Sequence, residues 1–261
     1  MYDAHHAPWV LTGMPRSGTT FSAALLTRVG MDFGHEEVFH PHLTHYMGMG
    51  KFDGDASWLA VPFLGELPGD SRVVIQVRDP LKVVGSLVGT QFLEPMRWWD
   101  ERRDMAWAWT KWKTRGSLAA HGYLDHVTAT PRPTAAFRSF LRARLPEIWA
   151  EDSPVTRALR FWLEWNRLAL RWAERFDHNR IQILERLDGP SLCGLTAFYG
   201  VPITPEQAGL ALSKVPTTTN QRLRVTLQWE DIPAGQLRDD AAALARHLGY
   251  ETPHPSMEAT S

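Results

Sequence analysis

The chain has 261 residues, room for one large α/β domain or a domain and a half, and 44% of them are apolar, ample for a buried core. Its 28 lysines and arginines against 29 aspartates and glutamates leave a net charge of -1, so no global field recruits nucleic acid or an anionic membrane. The single cysteine, Cys193, excludes an internal disulfide and is read as a buried structural thiol in a reducing compartment.

In chain order, Trp9 to Thr12 are apolar or β-branched and lead into Gly13-Met-Pro-Arg-Ser-Gly18. Phe21, Leu25 and Val29 then recur at helical spacing until Gly30 stops them. This is the pattern of a strand, a phosphate-cradling loop and a helix. The strand begins within ten residues of Met1, so no secretory leader is expected ahead of it. A short strand-like piece over 31–33 leads into Gly34-His-Glu-Glu-Val-Phe39 and a histidine-rich loop to His45. The interval 48–55 reads as an irregular glycine-rich loop, and 57–61 as the start of a helix behind the sheet. Val73-Val-Ile-Gln-Val77 has the near-continuous β-branched run of a strand covered on both faces. After it, Asp79 is placed as an N-cap and Pro80 as the first residue of a helix reaching 92, with Ser86 about two turns inside.

The interval 94–154 is read as a tryptophan-rich helical insertion or lid, with a break at 128–133. Trp98, Trp107, Trp109 and Trp112 are expected to line an acceptor pocket there. The longest predicted helix spans 156–176, apolar on two sides, with Arg160, Glu164, Arg167 and Arg171 left to face water. A further buried strand is predicted at 181–184, followed by Glu185-Arg-Leu187 and a helix over 190–199 closed by Gly200. The stretch 214–222 reads as a polar loop, 237–248 as the last helix, and the tail from Thr252 is expected to be disordered. Strands alternating with helices argue for a single α/β domain, three layers deep, around a parallel sheet of four or five strands. No apolar run approaches the roughly 18 residues of a membrane helix, and the protein is read as soluble and cytoplasmic.

The loop at the start of the first helix offers the backbone N–H groups of Ser17, Gly18, Thr19 and Thr20 to an anion, with the helix dipole behind them. Nucleotide-triphosphate loops carry a lysine after the second glycine; this chain has Thr19 there, and its cation is Arg16, inside the loop. Arg78 at a strand end and Ser86 in the next helix can converge on a second phosphate. Taken alone, those two would also suit an Arg-Asp cap pair and a helix serine bonded to its own backbone. Together with the loop they describe a ligand with two anionic ends. Glu36 and Glu37 follow the second strand at the same sheet edge, where a carboxylate or His35 is a candidate base. In an extended segment the two glutamates point opposite ways, so one of them is expected to face the reacting centre. His40, His42 and His45 have the types of a zinc site but read as an exposed polar loop, and no metal is expected.

With these residues the chain resembles the sulfotransferases that use 3′-phosphoadenosine 5′-phosphosulfate (PAPS). Members carry a Pro-[Lys/Arg]-Ser-Gly-Thr-Thr loop for the 5′-phosphosulfate, similar to Pro15, Arg16, Ser17, Gly18, Thr19 and Thr20 here. They also carry an arginine, and a serine eight residues on, for the 3′-phosphate, which fall on Arg78 and Ser86. Glu185-Arg-Leu187 and the 214–222 loop, with Arg222 as a further cofactor contact, are weaker echoes. Arginine in the loop and Gly34-His-Glu-Glu37 look more like the tyrosylprotein and bacterial branches. The resemblance implies a P-loop-NTPase-like fold, PAPS as sulfonate donor without a metal, and in-line transfer to a hydroxyl of a small or medium organic acceptor. It implies Arg16 at the charge developing on the leaving phosphate and an acid or His35 as base. Two other readings are a P-loop kinase of small metabolites or nucleosides and a non-catalytic nucleotide-binding protein. The sequence is silent on oligomeric state.

Overall fold

The computed structural model describes residues 7–94, 135–215 and 225–252. Trp98, Trp107, Trp109, Trp112 and Arg222 lie outside the described residues, as do the break at 128–133 and the tail beyond 252. Among the described residues, β1 Trp9–Gly13, β2 Phe33–His35, β3 Gly54–Ala56, β4 Arg72–Val77 and β5 His178–Ile183 form one sheet, in the order β2-β3-β1-β4-β5. Every pairing in it is parallel.

Alternation along the central strands explains the two layers that cover them. Val10, Val73, Ile75 and Val77 join the core on one face, while Trp9, Leu11 and Val74 join the core on the other. The first face carries the 3-10 segment Trp58–Glu66 and the helices α2 Pro80–Gly89, α3 Ala135–Arg144, α4 Pro154–Ala173 and α7 Gln236–His247. The second carries α1 Thr19–Arg28, α5 Gly189–Phe198 and α6 Pro205–Lys214. A five-stranded parallel sheet with helices on both sides is a three-layer α/β arrangement.

The longest helix, α4, starts where Ser153 Oγ accepts the amide of Thr156 at 3.1 Å and Pro154 takes the first helical position. Phe161, Trp162 and Trp165 are buried on it, as a helix sandwiched between layers requires. Its polar side is tied down by Arg160 to Glu151 at 2.8 Å and by Arg167 to Glu164 at 3.2 Å and Asp240 at 2.8 Å. Trp58 sits at the centre of an aromatic cluster, with the rings of Phe140, Phe161 and Trp165 at 6.0, 6.3 and 5.6 Å. Phe140, Leu141, Leu145 and Ile148 belong to the same core, so the described end of the 94–154 interval packs into the main body.

Four local expectations are corrected. The irregular loop at 48–55 ends in a strand: Gly54–Ala56 inserts between β2 and β1 because Gly54 has no side chain to strike the Phe33 ring or the Trp9 carbonyl. The segment after Ser57 is 3-10 rather than α, with Pro62 inside it removing a donor. The strand at 178–183 is a sheet edge rather than a buried strand, and Ile181 is 44% exposed. Cys193 is half-buried. No helix of the described residues is long and apolar enough to cross a membrane.

Because all strands run the same way, the ends of β1, β2 and β4 meet along one edge of the sheet. The chain leaves β1 for β2 and β3 on one side and crosses to β4 on the other, so the crevice above β1 is where open parallel sheets present ligand sites.

Candidate functional site

Between Gly13 and α1 the backbone turns twice through left-handed conformation, at Arg16 (φ 73°) and Gly18 (φ 91°). The amide of Ser17 closes the first turn on the Met14 carbonyl at 3.1 Å. That differs from an open row of four amides: Gly18, Thr19 and Thr20 head the helix, where the first N–H groups have no acceptor within the helix and no side chain caps them. A Cβ at Gly13 would lie 2.1 Å from the Gln76 carbonyl, and one at Gly18 would lie 2.7 Å from Leu184. Both positions need glycine for close approach.

Residues beneath the loop, which no local motif marks, hold it in place. Gln76, fully buried on β4, donates from Nε2 to the Ser17 carbonyl at 2.8 Å and accepts from Ser22 on α1. Trp165 donates from Nε1 to the Gly13 carbonyl at 3.1 Å, so α4 is fastened to the loop across the sheet face. A polar residue within an otherwise β-branched strand was the available signal for Gln76; nothing in the helical spacing of Trp165 distinguishes a donor from a packing residue. Ser17 Oγ is buried and has no hydrogen-bond partner among the described residues. A buried hydroxyl without an acceptor costs free energy, and an oxyanion seated on the loop is an acceptor of the kind it lacks.

On the β4 side, Arg78 Nη1 donates to the Arg16 carbonyl at 2.9 Å, and Arg16 Nε donates to Ser86 Oγ at 2.9 Å. The two constellations expected from sequence are thus joined in one chain of contacts. Arg78 Nε also stands 3.8 Å from Glu185 Oε1, which accepts the amide of Asp79 at 3.3 Å. Asp79 itself caps α2 through the amide of Lys82 at 3.1 Å, as anticipated. Beyond Ser86, Val225 donates its amide to the Gly85 carbonyl at 3.1 Å, and a Cβ on Gly85 would fall 2.0 Å from the Val225 carbonyl oxygen. Gly85 therefore admits the chain that follows 224 onto α2, one residue from Ser86.

On the β2 side, His35 Nε2 shares hydrogen bonds with Thr20 Oγ1 at 3.0 Å and Thr19 Oγ1 at 3.5 Å. β2 ends there, and Glu36 takes φ 54°. The extended alternation used to place Glu36 and Glu37 on opposite sides therefore does not apply: the two lie on a turn. That turn is held by Asp55 of β3, whose Oδ1 accepts the amide of Glu37 at 3.2 Å and whose Oδ2 accepts those of Val38 at 3.3 Å and Phe39 at 3.2 Å. Burial pushes the Asp55 carboxyl up to about 7, opposed by these three bonds and reinforced by the charge of Glu36. The rings of His40 and His42 are tilted by 46° with centroids 6.4 Å apart. Among the described residues no group of three His, Cys, Asp or Glu side chains is arranged to hold a metal ion.

The site thus brings the loop 13–20 together with Arg78 and Ser86 on one flank and His35 on the other. Compared with models of known protein families, with curated proteins and with solved structures, the chain matches none.

Proposed function

We propose that the protein is a PAPS-dependent sulfotransferase of P-loop-like fold, acting in the cytoplasm on a hydroxyl of a small or medium organic acceptor. The observation that carries this reading is the linked cluster of Arg16, Ser86 and Arg78 beside a helix-capping loop without a triphosphate lysine. Two cationic side chains and two sets of donors, at the ends of adjacent parallel strands, suit a ligand with a phosphate at each end of a nucleoside. The buried hydroxyl of Ser17, without a partner among the described residues, fits a phosphate seated on the loop.

PAPS supplies an activated sulfuryl group, and no metal is called for, since it has no β,γ-phosphate pair to bridge. The amides of Gly18, Thr19 and Thr20 and the guanidinium of Arg16 hold the 5′ end and carry the charge that grows on the departing phosphate oxygen. Arg78 and Ser86 hold the 3′ end. His35, Glu36 and Glu37 bring one imidazole and two carboxylates to the opposite flank, and the base that takes the acceptor's proton is drawn from them.

The test is transfer of labelled sulfonate from PAPS to a panel of alcohols and phenols. Turnover that requires PAPS and is indifferent to chelators is expected. PAPS neither bound nor consumed, or magnesium-dependent phosphoryl transfer from ATP in its place, overturns the reading.

A further inference from the structure

Asp55 occupies the middle of β3, at the register position between Val10 of β1 and Gly34 of β2, and it is fully buried. Aspartate is a poor strand residue, and a buried carboxylate costs free energy unless it is bonded. Its bonding partners all lie on one segment, the amides of Glu37, Val38 and Phe39. Two further features serve the same contact. The left-handed backbone of Glu36 reverses the chain so that three successive amides converge, as in an anion-binding nest. Gly34 leaves the space, since a Cβ there would lie 2.7 Å from Asp55 Oδ1.

We propose that Asp55 is a positioning residue for the loop site: its carboxylate, through the amides of residues 37–39, sets where His35, Glu36 and Glu37 stand beside Thr19 and Thr20. The chemical task of that turn rests on the sulfotransferase reading; the hold of Asp55 on the turn does not. Glu36 is the charged group whose field acts on Asp55, while β1 and β2 present Val10 and Gly34 at the flanking positions. Protonation removes the charge and engages one of the two acceptor oxygens with a proton, so the three amide bonds weaken. The hold on the turn is therefore expected to weaken as the carboxyl, raised by burial to about 7, takes up its proton.

The experiment follows backbone amide resonances of the full chain between about pH 5 and 9, a window that brackets the ionisation. The signals of Glu37, Val38 and Phe39 are expected to move together with a midpoint at about 7. In Asp55→Asn, which keeps the shape and cannot ionise, they are expected to stay still. Sulfonate transfer by the wild type is expected to fall below the same midpoint, and in D55N that component of the acid limb is absent, leaving only the ionisation of the catalytic base. Immobile amides in the wild type, or an amide titration that persists in D55N, overturn the proposal. The wild-type titration needs no variant, so poor folding of D55N does not remove the test. Titrating amides without any sulfonate transfer sink the sulfotransferase reading and leave the role of Asp55 in the turn supported.

Discussion

Arg16 is held by its backbone as well as by its side chain. A non-glycine residue at φ 73° costs on the order of 1 kcal/mol, and here it turns the loop so that Arg78 reaches the Arg16 carbonyl while the guanidinium reaches Ser86. Arg16→Ala removes the guanidinium and leaves the carbonyl contact, so the fold is expected to survive and donor binding to weaken without being lost, while kcat falls by about 10² to 10³. Steady-state kinetics with PAPS check this; a variant that turns over at the wild-type rate removes Arg16 from the chemistry. Gly85 acts by having no side chain. Gly85→Ala places a carbon 2.0 Å from a backbone oxygen, which no rotamer change relieves, so the segment from Val225 must lift off α2. The expected loss is roughly 1 to 3 kcal/mol of stability, together with weaker binding of the desulfonated donor, read from urea unfolding and calorimetry on one protein.

Among the elements, β3 shows where pattern reading stops. Strand periodicity needs several residues to register, and a three-residue Gly-Asp-Ala strand has none; its place in the sheet is set by neighbours distant in sequence, Phe33 and Trp9. The helix α6 escapes pattern reading for another reason. Thr204-Pro-Glu-Gln207 carries a cap, a first-turn proline and a capping box, all present in the structure, but the helix after it is short and its apolar residues are few. By contrast, β1, β4, α2 and α4 were legible because long apolar runs and caps agree. The same holds for the site: the loop, Arg78 and Ser86 are local motifs, whereas Gln76, Asp55 and Gly85 act on residues far away in the chain. Asp55 also gives β3 a pH signature. Its carboxyl titrates at about 7 in the fold against an ordinary 3.8, so the folded state binds the proton more tightly than the unfolded chain. Its contribution to stability is therefore full below about pH 3.8 and is lost as pH rises through about 7. The stability of the wild type relative to D55N is expected to fall by up to about 4 kcal/mol from pH 4 to pH 8, measured by urea unfolding across that range. The opposite slope would place the carboxylate in a polar setting.

For the whole molecule, a net charge of -1 means that affinity for a doubly phosphorylated nucleoside must come from the cluster at the sheet edge and not from a general field. That cluster draws on β1, α1, β4 and α2, and α4 is fastened to it through Trp165 and the Gly13 carbonyl. A ligand that binds there clamps elements from both faces of the sheet, so it should stabilise the domain as a unit. At a hundredfold excess over Kd the gain is about 2.7 kcal/mol, or about 5 to 10 °C in Tm for a domain of this size. Adenosine 3′,5′-bisphosphate is expected to give that shift, and ATP with magnesium a much smaller one, because the loop offers Thr19 where a triphosphate site needs lysine. Arg78→Ala should remove most of the shift and lower the unliganded Tm by a few degrees through the lost 2.9 Å bond to the Arg16 carbonyl, the ion pair with Glu185 at 3.8 Å adding little. An equal response to ATP, or a shift undiminished in Arg78→Ala, would move the second phosphate away from Arg78 and Ser86 and favour a kinase.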